Sequence, residues 1–524
     1  MRSFLSPKPL GLILGLCLSL LILLLPTFPP FLSLAYGIVT TQGVPLDPAV
    51  LASSIQSVCA LIVLMVLWWV TEAVPLPVTA LLPAILLPLL HVTGVSGSSV
   101  YEFTIKNALV SYANPVIYLF LGGFLLAAAM QKWGLDRRLT LWMLTRGTIA
   151  NSSRLILLGM MSVSAFLSMW ISNTATTAMM LPLGLGILHQ MDLKPGESHF
   201  GTALMLGIAW AASIGGVGTI IGTPPNGIAL GILNSTFAHD PLYHRISFLD
   251  WMKIGVPFVV LMVPLAWAIL IWQNPPEIQS LPGGKGGLEK ERARLGSFKR
   301  GEKLSIAAFL LAVVLWVTNP FWTLLLPTDL ATRVSWIDEY SIGLMVGVLC
   351  FVLPIDFKQS KFLLDWHDTK FVDWGTLLLF GGGIALSDAM FKTGFASWIA
   401  NSFIAVLGTP STFVLMVAIV LFVDFLTEIT SNAAVTGMIV PIVISIALQS
   451  GDNPVTLSIA TAIAASLAFM LPVATPPNAL VYGTGYIKMK DMIRNGFILD
   501  IFGWLLTVGI LYLIGGMVFG VLKF

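Results

Sequence analysis

Two polar motifs occur twice, in the same order, within otherwise apolar sequence. WISNTATTAMMLP at 170–182 is matched by ITSNAAVTGMIVP at 429–441, so that Ser172 corresponds to Ser431. IGTPPNGIA at 221–229 is matched by VATPPNALV at 473–481, so that Thr223 corresponds to Thr475. One such motif in a membrane helix usually serves helix packing or makes a kink. Their ordered repetition instead predicts a transporter built from two related halves.

The first Ser-Asn-Thr motif has the chemistry to bind ions of both signs. A hairpin tip leaves carbonyl groups of one arm and N–H groups of the next unpaired, which hydrocarbon tolerates only around a cavity or ligand. The carbonyls, the hydroxyls of Ser168 and Ser172 and the amide of Asn173 can coordinate a small hard cation. The N–H groups that open the second arm, together with the Thr174 hydroxyl, favour an anion.

The second half repeats these groups. Thr427 stands four residues before Ser431, and Asn432 follows. In each Thr-Pro-Pro-Asn motif the paired prolines remove donors and free upstream carbonyls, which predicts an unwound helix in mid-membrane. Gly222 and Ala474, each just before the threonine, would offer a backbone oxygen.

The elements that must hold these motifs are membrane helices. The chain is 57% hydrophobic and 10% charged, with a mean hydropathy of +0.91, whereas soluble domains have roughly 25% charged residues. Its apolar runs repeatedly reach the roughly 20 residues needed to cross a bilayer. The composition therefore predicts an integral, multi-pass protein. The net charge of +2 gives no reason to expect nucleic acid as a partner.

The positions of Lys and Arg predict the topology. With a cytoplasmic N-terminus, the loops rich in Lys and Arg lie inside, as the positive-inside rule requires. This arrangement works only if the segments around 172 and 431 enter and return on one side, as re-entrant hairpins. The halves are then inverted, with the span at 115–131 running inward and its equivalent at 375–391 running outward. LFLGGF at 119–124 and LFGGGI at 379–384 support the repeat.

With these motifs, the chain from about 54 to 520 resembles the divalent anion/sodium symporters, whose members move dicarboxylates, citrate or sulfate. The resemblance implies an elevator-type homodimer in which two sodium sites flank one site for a substrate carboxylate, with Na⁺ as the coupling ion. It implies a first sodium site from Ser168, Ser172, Asn173 and Gly222, a second from Thr427, Ser431, Asn432 and Ala474, and substrate contacts from Asn173, Thr174, Asn432, Thr475 and Pro476, with Thr223 and Pro224 nearby.

We therefore predict an all-α membrane protein with about 11 transmembrane helices and two re-entrant hairpins in an inverted repeat, divided into scaffold and transport domains. The predicted segments are N-terminal scaffold helices at 1–114; a first repeat core at 115–273, with a hairpin at 153–190 and an unwound helix at 222–226; a flexible cytoplasmic linker at 274–303; scaffold helices at 304–374; and a second repeat core at 375–524, with a hairpin at 411–448 and an unwound helix at 474–478.

Three residues leave questions open. Ala433 stands where the first motif has Thr174, and losing one hydroxyl costs on the order of 1 kcal/mol, enough to change selectivity. This puts specificity for succinate-like anions in doubt. Asp424 and Glu428 lie one turn apart in the second hairpin, and intramembrane acids are candidates for function. They would either couple protons or attract cations, or else pair with freed backbone groups and neighbouring hydroxyls.

The predicted function is secondary active transport of a small di- or trivalent anion, coupled to sodium, in a bacterial inner membrane or other plasma membrane. Membrane lipids and a second copy of the chain are the other expected partners. A sodium-independent anion exchanger and a sodium/proton antiporter of related architecture remain alternatives. An intramembrane enzyme is disfavoured, because no HExxH or GxSxG motif with a histidine at membrane depth occurs.

Overall fold

A computed structural model describes residues 7–146, 152–238, 240–241, 243–279, 286–408 and 410–519. The described chain is predominantly helical, as predicted. The helices before the linker are α1 (Pro7–Leu24), α2 (Pro29–Gln42), α3 (Pro48–Thr71), α4 (Leu76–Thr79), α5 (Leu82–Leu89), α6 (Ile105–Val110), α7 (Pro115–Lys132), α8 (Leu135–Leu144), α9 (Ser153–Ser168), α10 (Asn173–Gln190), α11 (His199–Gly216), α12 (Pro224–Thr236) and α13 (Phe248–Gln273).

The second part of the chain continues this architecture. Its helices are α14 (Gly286–Arg294), α15 (Arg300–Thr318), α16 (Trp322–Leu325), α17 (Thr328–Arg333), α18 (Glu339–Val352), α19 (Trp374–Thr393), α20 (Phe395–Leu407), α21 (Thr412–Thr427), α22 (Asn432–Ser450), α23 (Pro454–Ala464), α24 (Pro476–Tyr482), α25 (Met489–Ile510) and α26 (Gly516–Phe519). Short 3₁₀ turns occur at Ser111–Ala113, Asn319–Phe321 and Trp366–Phe371, and a π-helical turn at Leu511–Gly515.

The described β-structure is confined to two small antiparallel ribbons. Strand β1 (Thr93–Ser96) pairs with β2 (Ser99–Glu102), with Thr93 opposite Glu102, and β3 (Pro354–Asp356) pairs with β4 (Lys361–Phe362). Both ribbons lie in connections between helices, where a short turn satisfies backbone groups that no helix can pair.

Seven helices in the described residues are long and apolar enough to cross a membrane, or eight if the bent pair formed by α1 and α2 counts as one span. This pair bends by 64° at its break. Within the predicted scaffold segment 1–114, the apolar stretch at 76–89 is divided into α4 and α5, each with a proline at its start. The multi-pass architecture is thus confirmed, while the count of about 11 stays a prediction.

The repeat seen in the motifs extends to whole helices. The first arms of the two hairpins, α9 and α21, are each 16 residues long. The start and the end of α21 each lie 259 positions after those of α9, and α22 begins 259 positions after α10. The equivalent helices α7 and α19 contact each other through Phe120 and Phe380, whose rings are 4.5 Å apart and nearly perpendicular.

The interior is built around α11, in which every residue from Phe200 to Gly216 is buried. In other parts of the structure, helices approach each other closely at glycines. A Cβ atom on Gly122 of α7 would collide with the Gly343 carbonyl of α18, and one on Gly382 of α19 would collide with the backbone of Ala80. Membrane helices use small residues in this way to bring backbones together.

The two unwound segments begin upstream of the predicted positions, 222–226 and 474–478, and end within them. The first break runs from 217 to 223 and the second from 465 to 475, and the prolines at Pro224 and Pro476 begin the next helices. The physical reason is that proline is well suited to the first helical position, where its missing N–H needs no partner. The carbonyls freed at each break therefore precede the prolines.

The predicted flexible linker at 274–303 contains an ordered helix, α14, which packs against α8. Arg138 of α8 pairs with Glu302 at 2.8 Å and donates to backbone carbonyls of the linker, and Arg137 pairs with Glu291 at 2.9 Å. The described residues 286–303 thus contact α8 through ion pairs and backbone hydrogen bonds, and the flexibility of the linker stays a prediction.

Candidate functional site

The first hairpin tip is the break between α9 and α10. Ser172 has extended backbone angles, caps α10 and accepts a hydrogen bond from the Ala175 N–H at 3.3 Å. Across the break, the Ser168 hydroxyl donates to Asn173 Oδ1 at 2.8 Å. The tip thus brings a hydroxyl oxygen and an amide oxygen together at the start of a helix, where N–H groups favour negative charge.

The first unwound segment, 217–223, lies against this tip. The side-chain amide of Asn226 donates to the carbonyls of Gly216 at 3.1 Å and Thr219 at 2.8 Å, which fixes the shape of the segment. The Thr219 hydroxyl donates to the Met169 carbonyl in the tip. Asn173 approaches Gly216 so closely that a Cβ atom there would collide with its side chain.

The second hairpin tip, between α21 and α22, repeats the first. The Thr427 hydroxyl lies 2.7 Å from Asn432 Oδ1 and also 2.9 Å from the Ala465 carbonyl. Ser431 has backbone angles close to those of Ser172 and begins α22, but its hydroxyl makes no capping bond.

The second unwound segment, 465–475, is held by the side-chain amide of an asparagine, as the first is. The Asn478 amide donates to the carbonyls of Ala468 at 2.9 Å and Leu471 at 3.0 Å. Thr475 and Thr223 have the same extended conformation, with φ of −144° and ψ of 149° and 146°. Both breaks therefore place equivalent backbone carbonyls beside a hairpin tip.

Helix packing brings the two halves together. The second arm of the first hairpin, α10, packs against α24, which follows the second break. In return α22, the second arm of the other hairpin, packs against α12, which follows the first break. In this crossed arrangement, the second arm of each hairpin packs against the helix that follows the break of the other half. The N-terminus of a helix favours an anion.

The predicted site residues differ in their exposure to solvent. Thr174 and Pro476 are exposed, and Ser172, Asn173, Pro224, Ser431 and Asn432 are partly exposed. The remaining predicted residues, Ser168, Gly222, Thr223, Thr427, Ala474 and Thr475, are buried. Asn173 and Asn432, which are predicted to contact both sodium and the substrate, are thus partly exposed, whereas several residues predicted to bind sodium alone are buried.

Asn226 and Asn478 have a structural role that was missed in the sequence, although both close a repeated motif. Each is fully buried, and each ties two carbonyls of an unwound segment. The repetition of Thr-Pro-Pro-Asn was the available signal, because only the amide of the fourth residue has donors for the carbonyls that the prolines release.

The intramembrane acids lie beside the second tip only. Glu428 accepts hydrogen bonds from the N–H groups of Phe469, Met470 and Leu471 at 2.6, 2.8 and 2.9 Å. Asp424, one turn earlier, and Asp500 of α25 are each 1% exposed. Among the described residues, no N–H or hydroxyl donor reaches the carboxyl oxygens of Asp424. Asp500 lies beside the Glu428 carboxyl and the Phe469 N–H. Glu428 therefore follows the backbone-pairing alternative stated for these acids.

Comparison with known proteins decides the family. The family described as the sodium:sulfate symporter transmembrane region matches residues 31–521, nearly the whole chain. The chain belongs to the sodium:sulfate symporter family. The family resemblance and the sodium-coupled anion transport predicted from the sequence are thereby confirmed.

Individual relatives of this symporter agree. A protein of Staphylococcus saprophyticus named sodium-dependent dicarboxylate transporter SdcS is 39% identical over 467 residues, which cover 87% of this chain and 85% of the relative. SdcS of Staphylococcus aureus is 35% identical over 463 residues, with the same coverage. The YdaH transporter of Alcanivorax borkumensis has a similar fold, with a TM-score of 0.55 at 13% identity, covering 87% of this chain and 98% of the other.

Proposed function

We propose that this symporter moves small dicarboxylates or similar di- or trivalent anions together with sodium, and that it has no enzymatic activity. The observation that carries the proposal is the duplicated oxygen pair, Ser168 with Asn173 and Thr427 with Asn432, each beside an unwound helix. Neutral hydroxyl, amide and carbonyl oxygens suit a hard monovalent cation. The dicarboxylate class is supported by the names of the staphylococcal relatives.

Two cation sites are proposed, one in each half. The first takes oxygens from Ser168, Ser172, Asn173 and the backbone of Gly222; the second takes them from Thr427, Ser431, Asn432 and the backbone of Ala474. The carboxylates of the substrate lie between them, against Asn173, Thr174, Asn432, Thr475 and Pro476, with Thr223 and Pro224 nearby.

The distribution of charge explains why sodium is required. No Lys or Arg occurs at 155–193, 195–244 or 393–487, so neither hairpin nor either break has a cationic side chain. A dianion there must be neutralised by bound cations and helix N-termini. Sodium binding therefore creates the site for the substrate, which couples the two fluxes.

We also propose the predicted membrane arrangement: an inverted repeat with a cytoplasmic N-terminus, working as an elevator-type homodimer in contact with lipid. The hairpins are assigned as re-entrant. Their first arms have 16 residues each, which at 1.5 Å per residue reach about 24 Å, less than the roughly 30 Å of the hydrocarbon core.

Uptake by the purified protein in liposomes tests the function. Labelled succinate, citrate and sulfate are supplied with an inward gradient of sodium or of choline. We expect uptake of at least one anion to depend steeply on sodium, and substrate binding in detergent to weaken at least tenfold in choline, because unneutralised charge is costly to bury. Equal binding in both salts, with uptake driven by internal anion, would contradict symport and favour the exchanger. Empty liposomes are the control.

A further inference from the structure

The carboxyl group of Glu428 joins the second hairpin tip to the second unwound segment. Glu428 directly follows α21 and is 2% exposed. It accepts three successive backbone N–H groups, those of Phe469, Met470 and Leu471. These donors lie after the end of α23 and have no helical carbonyl to pair with. One side chain thus satisfies three donors that the break has freed.

The equivalent connection in the first half is much slighter. Met169 stands where the second half has Glu428, and its side chain cannot accept strong hydrogen bonds. Among the described residues, the tip and unwound segment are joined there by one hydrogen bond, from the Thr219 hydroxyl to the Met169 carbonyl. In the second half, one carboxyl group accepts three hydrogen bonds from successive backbone groups. The second half therefore has the stiffer connection.

The segment held by Glu428 leads directly into the proposed second cation site. Leu471 accepts from the Asn478 amide at 3.0 Å and from the Ala474 N–H at 3.3 Å. Ala474 is a proposed ligand through its carbonyl. On the other side of Glu428, Thr427 is a proposed ligand through its hydroxyl. Glu428 thus fixes the distance between two parts of the site without lying in the ligand set.

We propose that Glu428 is a positioning residue for the second cation site, acting through the backbone of Phe469–Leu471. It makes this site more rigid than its counterpart in the first half, so that the second site is preformed before sodium binds. The inference rests on the proposed sodium symport. Asp424 and Asp500 are the acids nearest to Glu428, and a carboxyl group can also act by attracting a cation, so the test must separate positioning from attraction by charge.

Three variants make this separation. Glu428→Gln removes the acidic group but keeps an acceptor oxygen. Glu428→Met introduces the residue that stands at the equivalent position of the first half. Thr219→Val removes the hydroxyl that joins the tip to the unwound segment in the first half. Sodium dependence is measured at saturating substrate. We expect the sodium concentration for half-maximal uptake to rise about tenfold in Glu428→Met and about threefold in Glu428→Gln, with substrate dependence at saturating sodium changed less than about twofold. We expect a rise of no more than about threefold in Thr219→Val.

Equal effects of Gln and Met would overturn positioning, because attraction by charge would then explain both. Unchanged sodium dependence in both variants would overturn it as well. A second measurement needs no variant: amide hydrogen exchange of the wild-type protein without sodium. We expect the amides of Phe469–Leu471 to exchange at least about tenfold more slowly than those of 217–223. Similar exchange in both breaks would refute the inference, whereas sodium-independent uptake by the wild type would refute the proposed function alone.

Discussion

The first and second hairpin tips share one oxygen pair and differ around it. Ser168 meets Asn173 at 2.8 Å, and Thr427 meets Asn432 at 2.7 Å. Beyond this pair, the first tip has an exposed Thr174, whereas Ala433 at the same position in the second tip is 8% exposed. The oxygen pair assigned to the cation is thus duplicated, while the hydroxyl assigned to the substrate is not.

This difference follows from what each ligand requires. A sodium ion needs several oxygens at short distances, and any change of geometry costs affinity, so both halves keep the same arrangement. An anionic substrate need not make the same contacts with both halves, so one tip can lose a hydroxyl and change selectivity. The halves also differ at Glu428, which accepts three backbone hydrogen bonds from the second unwound segment, whereas the first half has Met169 at the equivalent position. The following predictions test how far the halves are equivalent.

The largest effect is expected at the shared pair. Asn173→Ala and Asn432→Ala each remove an oxygen for the cation and a donor for the anion. Because hydrogen bonds to charged groups contribute about 1.5–3 kcal/mol each, we expect either change to reduce transport about 100-fold or more. Uptake in liposomes, with thermal stability in detergent, measures this.

The matched control is Asn401→Ala, an exposed asparagine on α20 outside the site. It should transport normally. Normal transport by both Asn173→Ala and Asn432→Ala would mean that the tips are structural. Loss in only one of them would show that one half alone binds sodium.

A smaller effect, different in the two halves, is expected at the residues that hold the breaks. Asn226→Ala removes the side-chain donor of the Gly216 and Thr219 carbonyls, and Asn478→Ala removes that of the Ala468 and Leu471 carbonyls. The Thr219 and Leu471 carbonyls each keep one backbone donor, so each change leaves one buried carbonyl, that of Gly216 or Ala468, without its side-chain donor. We expect the half-maximal sodium concentration to rise about tenfold in Asn226→Ala but only about threefold in Asn478→Ala, because Glu428 still holds the second break.

The double variant Glu428→Met/Asn478→Ala sharpens this comparison. Its half-maximal sodium concentration should be at least as high as that of Asn226→Ala. The rise should also exceed the product of the rises in the two single variants, because both groups support one segment. A larger effect of Asn478→Ala than of Asn226→Ala, measured from sodium titrations of uptake, would contradict the greater rigidity of the second half.

The smallest effect is expected where the tips already differ. Ala433→Thr restores the missing hydroxyl, and we expect it to change the uptake ratio of succinate to citrate or to sulfate about 3- to 10-fold, equivalent to one hydrogen bond of about 1 kcal/mol. Sodium dependence should stay constant. Competition uptake measures the ratio, and Thr174→Ala provides the reciprocal change in the first half.

An unchanged ratio in Ala433→Thr would place residue 433 outside the substrate site. A changed sodium dependence with constant selectivity would mean that the cation and anion sides of the tip have been assigned in reverse.

The sequence by itself determined the membrane class, the repeated halves and the position of both hairpin tips. The reason is that these features are local: apolar runs predict spans, and a polar motif within such a run predicts a break. The ends of α9 and α21 and the starts of α10 and α22 coincide with the repeated motifs. The pairs Ser168 with Asn173 and Thr427 with Asn432 join residues only five positions apart, and the sequence analysis assigned the members of each pair to one cation site.

The tertiary structure decided what lies around these tips. The donors that Glu428 accepts are about 40 residues away in the sequence, and no periodicity in α21 indicates them. The unwound segments lie upstream of the prolines, because proline starts a helix more readily than it extends a break. The contact of α8 with the linker includes ion pairs from Arg137 to Glu291 of α14 and from Arg138 to Glu302 of α15. Each of these features depends on groups distant in sequence, which only the packing of the helices brings together.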